Sequence, residues 1–416
     1  MITAETNGKG NTMESLSKLA PAVFGVLIAL SAHSYAESSK YDVGASDTEL
    51  KIGQTYPYSG PASQFSTGAK AALAYFKMIN DRGGVSGRKI SLVSLDDAYS
   101  PPKTVEQTRK LVEGEGVLAI FNSLGTATNL AVQKYLNGKK VPQLFVATGA
   151  TRVNDPKAYP WTIGWLPSYR SEAIIYAKYI AANVSDAKIA ILYQNDDLGK
   201  DYLAGFREGL GADADRLIVK QISYETTEPT IQSQIVQLRA SGANVFLDVA
   251  TPKFAAQAIR RAGELGWKPL HILTNVSNSV AGVLQPAGLE HAVGLVSARY
   301  QKDPADPEWR DDPGMKQYMS FMAEYFPQGD PKDLFNVYGY TAAQVLVHVI
   351  QECGDDLTRA NLMRIATNLD AVRFPMLIPG VTATTTPTNY TAIGQMQLIR
   401  FDGQSWRGFG EVISSR

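Results

Sequence analysis

Residues 50–103, LKIGQTYPYSGPASQFSTGAKAALAYFKMINDRGGVSGRKISLVSLDDAYSPPK, constrain the fold more than any other stretch, because they hold a strand, a turn, a helix and a second strand in one short unit. Leu50 and Ile52 open an apolar run, and Tyr58-Ser59-Gly60-Pro61-Ala62 breaks it with turn-forming residues. From 67 to 81, Ala72, Tyr75, Phe76 and Ile79 recur at spacings of three and four, which predicts a helix with one buried face, stopped by Gly83-Gly84. Ser86-Gly87 turns the chain into a second strand at 90–95. Two strands joined by a crossover helix of this length form the unit of a parallel sheet.

The same rhythm continues. Apolar strand candidates fall at 118–121, 143–146, 189–193, 245–249 and 272–273, with helical patterns between most of them. This alternation predicts an α/β protein of parallel sheets covered by helices on both faces. After 159–165 comes a helix over 171–183 and the strand at 189–193, which restarts the pattern; a further helix is predicted over 313–325. Residues 382–391, TATTTPTNYT, read as a polar surface loop before a strand at 394–401, and Asp402-Gly403 as a hairpin turn into a last strand near 408–413. No internal repeat of fixed period is visible.

The first 36 residues read as an export leader. Lys18 precedes an uncharged run from 19 to 32 that is rich in Ala, Val, Leu and Ile, and Ser34-Tyr35-Ala36 supplies small residues for cleavage. That run is short of the roughly 20 residues a membrane span needs. The mature chain is expected to begin near Glu37, with Met1 and Met13 both candidate starts. The single cysteine, Cys353, lies far from this segment, so no lipoprotein anchor and no intrachain disulfide are expected. A buried, inert role suits it. The four histidines, His33, His271, His291 and His348, lack ligand spacing, so neither a metal nor any other cofactor is indicated. Lys plus Arg and Asp plus Glu both number 40, and no basic run occurs, which argues against nucleic acid or an anionic membrane as a main partner.

In parallel α/β sheets, ligands sit beyond the carboxyl ends of strands, where helix N-termini present unpaired amides. Two such places stand out. Asn122-Ser123-Leu124-Gly125-Thr126-Ala127-Thr128 follows the strand at 118–121 and leads into a helix over 129–136; Ala147-Thr148-Gly149-Ala150-Thr151 follows the strand at 143–146. Either loop suits a carboxylate, and ordinary helix capping asks for the same residue types. Enzymatic readings find no support: there is no G-x-G-x-x-G, no P-loop, no G-x-S-x-G, and no base can be named for Ser123.

The order IGxxxPxSG, helix, INxxGGVxGRKI and DDAxSPPKxV resembles the start of the periplasmic branched-chain amino acid binding proteins, and the likeness runs from about Leu50 to about the C-terminus. It implies two doubly wound parallel-sheet lobes joined by three crossovers and closing over a small solute. On that pattern residues 48–167 with 302–374 form one lobe and 168–301 with 375–416 the other. The implied role is delivery of a solute to the permease subunits of an ABC importer, by a periplasmic monomer. The resemblance assigns the ligand carboxylate to Gly125 and Thr126 in the first loop and to Thr148, Gly149 and Ala150 in the second, an aromatic wall to Phe65 and a further apolar wall to Phe335.

Departures from the family pattern bear on the ligand. The acidic residue that pairs with the ligand ammonium is matched by Asn275, and a threonine that also holds it by Ala150. A buried ammonium without its counter-ion is costly. Two positions often occupied by tyrosine are Leu198 and Ala250, which enlarges the pocket, and Tyr193 is placed to stack on a ring or to serve only as a strand-end residue. Asp196 and Asp197 either supply the missing charge or cap a helix, the latter being favoured. An aromatic or otherwise apolar carboxylic acid is therefore expected in preference to Leu, Ile or Val. A ligand-sensing module that signals through a protein partner is the alternative from another class.

Overall fold

The computed structural model describes residues 40–414, so the leader assigned to 1–36 lies outside the described residues. Two sheets organise the chain. The first has the order β2-β1-β3-β4-β5 and is parallel throughout, from β1 (Glu49–Tyr56), β2 (Lys89–Asp96), β3 (Ala119–Phe121), β4 (Gln143–Val146) and β5 (Thr162–Gly164). The second has the order β12-β11-β10-β9-β8-β6-β7. Its parallel part is β6 (Ile189–Gln194), β7 (Ile218–Tyr224), β8 (Val245–Val249), β9 (Leu270–Leu273) and β10 (Val296–Arg299); the hairpin β11 (Gln395–Phe401) and β12 (Trp406–Ser414) adds antiparallel strands. The α/β class with two doubly wound, parallel-dominated sheets is thus as expected.

The strand ends differ by a residue or two from the sequence reading, but β5, β7 and β10 were not anticipated. Short β5, with three residues, carries too few positions for a period to show. Exposed positions along β7 dilute its apolar signal. The interconnecting helices include α1 (Ser66–Asp81), α2 (Pro101–Arg109), α3 (Thr126–Lys139), α4 (Tyr169–Asn183) and α5 (Asp197–Leu210). A helix over Leu334–Cys353 packs against α1 and buries most of its length, ending at the buried Cys353, whose thiol burial pushes up to about 12. The expected surface loop at 382–391 is exposed only over 386–389. Ala383 pairs with both Val372 and Ile393, and Val381, Ala383 and Thr385 turn inward, because alternate residues of this β-prone run can be buried.

The chain passes between the two halves three times: at 165–168 between β5 and α4, at 300–302 after β10, and at 376–378 before β11. The last two passages run antiparallel, with the Lys302 amide donating to Met376 O at 2.8 Å and the Ile378 amide to Tyr300 O at 3.1 Å. Beside them Arg299 is held by Asp306 at 3.2 Å and stacks over Trp309. Asp303 is buried there, one carboxylate oxygen bonded by the Ala305 amide at 2.8 Å and the other without a partner. Away from the passages, Thr151 binds Asp201 through its amide at 2.8 Å and its hydroxyl at 2.9 Å, and Ser279 donates to Asp333 at 2.9 Å. These contacts hold the halves together around a central cavity.

Two predictions follow from this packing. An added Cβ at Gly339 would lie 1.9 Å from Gly68 O, where the Leu334–Cys353 helix crosses α1. Replacing an exposed helical glycine by alanine adds up to about 1 kcal/mol of stability; Gly339→Ala should instead lose roughly 1–3 kcal/mol to overpacking, read as a lower urea midpoint at unchanged slope. Burial pushes the Asp303 carboxyl up to about 7. A carboxyl raised on folding contributes stability that is full below its unfolded value and is lost as pH rises through about 7. Asp303→Asn should therefore raise the melting temperature at pH 8 and leave it nearly unchanged at pH 4; equal effects at both would remove Asp303 from the pH dependence.

Candidate functional site

Strand order reverses between β1 and β3 in the first sheet and between β6 and β8 in the second. Crevices at the carboxyl ends of such strands are where open α/β sheets bind ligands. Both crevices face one cavity, with about 80 Å³ open to the centre of a water-sized sphere. At roughly 10–15 Å³ for one water on that measure, it has room for a small organic molecule. Tyr56, Leu124, Gly125, Thr126 and Ala147 line it from the first sheet, and Leu198, Thr251, Asn275 and Val276 from the second. Leu166, Tyr169 and Tyr300 enter from the passages between the halves, and Phe335 and Tyr338 from the helix that starts at Leu334.

The first loop opens directly on this cavity. Gly125 has φ +106° and no room for a side chain, since an added Cβ would lie 2.6 Å from the Tyr99 ring and 2.5 Å from Thr128 Oγ1. Its turn starts α3 at Thr126, whose first-turn amides have no acceptor within the helix and mark the positive end of the helix dipole. Thr126 Oγ1 lies 2.7 Å from Thr148 Oγ1. Hydroxyl and helix terminus together suit an anion.

The second loop is covered. Tyr169, at the start of α4, lies with its hydroxyl against the Thr148 hydroxyl and the Gly149 amide, and its ring is 2.8 Å from where a Gly149 Cβ would be. Thr148 and Gly149 therefore stand behind Tyr169 and not on the cavity wall. Ala150 faces a separate outward depression beside Thr151 and Asp201. Phe65 and Phe335 are brought together on the wall, ring centroids 4.9 Å apart.

On the second sheet, Leu198 and Asn275 line the cavity and Ala250 and Tyr193 do not. Ala250 is fully buried, its carbonyl accepting from Ser277 Oγ at 2.6 Å, and its neighbour Thr251 takes the wall position. Tyr193 is half-buried, its ring against Gly199. Asp196 caps α5, accepting from the Leu198 amide at 3.0 Å and the Gly199 amide at 3.3 Å.

Sequence reasoning missed Glu172. This carboxylate is fully buried directly behind Asn275. It accepts from Tyr176 at 2.6 Å, Tyr202 at 2.8 Å, the Asn275 amide at 2.8 Å and the Asn275 side-chain nitrogen. Burial raises its pKa, and these donors work in the opposite direction. Four donors match the roughly four acceptor sites of a carboxylate, so none is left for a ligand. The available signal was a carboxylate four residues before Tyr176 on the apolar face of a predicted helix. The wall tyrosines were missed as well, because aromatic residues at helical or strand spacing read equally as core. Among the described lining residues only Arg299 is charged, and its guanidinium is engaged by Asp306 and Glu308 at 3.2 Å each and by Gln397 at 3.0 Å. Among the described residues no group of three or more His, Cys, Asp or Glu side chains is placed to hold a metal ion.

The periplasmic binding protein family matches residues 49–405. The chain is 23% identical over 344 residues to Leu/Ile/Val-binding protein homolog 7 of Brucella abortus (strain 2308), covering 79% of this chain and 84% of the relative. Its structure resembles a branched chain amino acid ABC transporter protein from Thermus thermophilus with bound valine, at TM-score 0.78 and 19% identity over 89% of this chain and 97% of the other. A fatty acid ABC transporter substrate-binding protein from Thermomonospora curvata aligns at TM-score 0.74 and 21% identity, over 90% of this chain and 94% of the other. With the family match spanning nearly all of the described chain, this protein belongs to the periplasmic binding protein family, whose members are solute-binding proteins and not enzymes.

Proposed function

We propose that the protein captures a small carboxylic acid with an apolar, preferably aromatic, body between its two halves in the periplasm and delivers it to the permease of an ABC importer. The observation that carries this reading is an anion-suited helix end, Gly125 and Thr126, opening on an aromatic cavity that receives no charged side chain. Export to the periplasm by the leader at 1–36 and a monomeric state are part of the reading. The named ligands of two structural relatives, valine and a fatty acid, share a carboxylate and an apolar body. An α-amino acid would also bring an ammonium. The carboxylate behind Asn275, Glu172, already accepts four hydrogen bonds, and Asn275 spends its side-chain nitrogen on it. Burying an unpaired ammonium there would cost several kcal/mol, which disfavours Leu, Ile and Val. Closure works as the binding motion: solute held at the first loop recruits the second half and stabilises the closed state.

Native-state ligand raises the melting temperature. Mature protein freed of carried-over ligand by unfolding and refolding should be stabilised by benzoate or cinnamate and not by leucine; stabilisation by leucine alone overturns the acid reading. Hydrogen bonds to charged groups contribute about 1.5–3 kcal/mol. Thr126→Val should accordingly weaken binding of the acid roughly ten- to a hundredfold in calorimetry, and unchanged affinity would take Thr126 out of the site.

A further inference from the structure

We propose that the hydroxyls of Tyr169, Tyr300 and Tyr338 form an anion-holding cluster that completes the grip on the ligand carboxylate, in place of any cationic side chain. This rests on the carboxylate reading above and names the groups that would do the holding. The argument is an inventory of protons. A phenol has one O–H to donate and an oxygen that accepts. The Tyr338 oxygen accepts from Asn122 Nδ2 at 2.7 Å, which leaves its proton to give. The Tyr169 oxygen lies against the Gly149 amide and the Thr148 hydroxyl, and Thr148 Oγ1 also meets Thr126 Oγ1, so this chain of three hydroxyls has one proton to give to a ligand, from its Tyr169 end or its Thr126 end. Tyr300 is 5% exposed, lines the cavity, and its hydroxyl makes no hydrogen bond among the described residues.

Tyr169, Tyr300 and Tyr338 all line the same cavity. Tyr169 reaches Thr148, whose hydroxyl is 2.7 Å from that of Thr126, so the cluster adjoins the first turn of α3. Two acidic groups face them: Glu172, whose acceptor sites are spent on Tyr176, Tyr202 and Asn275, and, toward Tyr169, Asp196, which accepts from Gln194 and from the Leu198 and Gly199 amides. The cavity is thus rich in donors, with Asn278 Oδ1 an unpartnered acceptor elsewhere in its lining, and a ligand carboxylate with about four acceptor sites answers those donors. Hydrogen bonds to an ionised acceptor are about twice as strong as neutral ones. Burial raises the pKa of all three phenols, Tyr169 to about 12, so they remain protonated donors at neutral pH.

The test is calorimetric binding of benzoate and of benzamide, its neutral isostere, to the wild-type mature protein and to Tyr300→Phe, Tyr338→Phe and Tyr169→Phe. Tyr300→Phe removes a hydroxyl that bonds to nothing in the protein, so folding should be unaffected; melting temperatures of the ligand-free variants check this. Wild type should prefer benzoate, and each variant should lower the benzoate-to-benzamide affinity ratio by about tenfold or more. A merely structural tyrosine would weaken both ligands together and leave the ratio unchanged, which overturns the cluster. Wild-type binding of benzoate with full affinity in all three variants overturns it too, with the carboxylate reading intact. Failure of wild type to bind benzoate, cinnamate or any fatty acid of up to eight carbons overturns both.

Discussion

A single buried carboxylate organises the second half of this site. Glu172, on α4, collects donors from its own helix through Tyr176, from α5 through Tyr202, and from the end of β9 through Asn275. A buried carboxylate without donors is costly, so the bonds to Glu172 favour the meeting of these three elements. Part of the cavity wall takes its place from this meeting. Asn275 is presented to the wall with its side-chain nitrogen already spent, and Tyr202 is held where Tyr169 stacks on it at 4.9 Å. Tyr169 in turn covers Thr148 and Gly149 of the 147–151 loop, leaving Ala147 of that loop on the cavity wall beside Leu124, Gly125 and Thr126.

Parallel sheet geometry does the rest. Each half points the carboxyl ends of its strands, and the helix termini that follow them, toward the other half, so a cavity between them is ringed by loops and helix ends. The wall is built from aromatic rings and hydroxyls, with charge kept outside: Arg299 borders the cavity but turns its guanidinium to Asp306, Glu308 and Gln397. Such a site discriminates by the number and direction of its donors more than by net charge. The adjacent antiparallel passages at 300–302 and 376–378 join the halves beside the cavity, which Tyr300 and Gln301 line, and Thr151 to Asp201 is a further contact between the halves.

Much of the architecture was legible because it follows from local periodicity. The helix Pro313–Tyr325 and the strands β4 and β8 match the sequence reading end to end, since apolar spacing and flanking turn residues act over a few positions. The place of Gly125 and Thr126 at a strand end that starts a helix was legible too, and the structure puts both on the cavity wall. The misses are of another kind. Ala250 sits one residue short of the wall position held by Thr251, a difference that β8 settles by the direction in which its last residues point. Tyr193 follows the same logic on β6, where its ring packs beside Gly199.

From the sequence alone came the α/β class, the alternation that makes the sheets parallel, the two candidate loops, and the absence of an acidic residue at position 275. Those are properties of neighbours along the chain, encoded at periods of 2 and 3.6 residues. Only the tertiary structure decided that Tyr169 covers Thr148 and Gly149 while Gly125 and Thr126 stay on the cavity wall, and that Tyr300 and Tyr338 share that cavity. It alone put Glu172 behind Asn275, 103 positions away in the chain. Contacts over such separations depend on how whole helices and sheets pack, and that packing is a sum over many residues that no local pattern records.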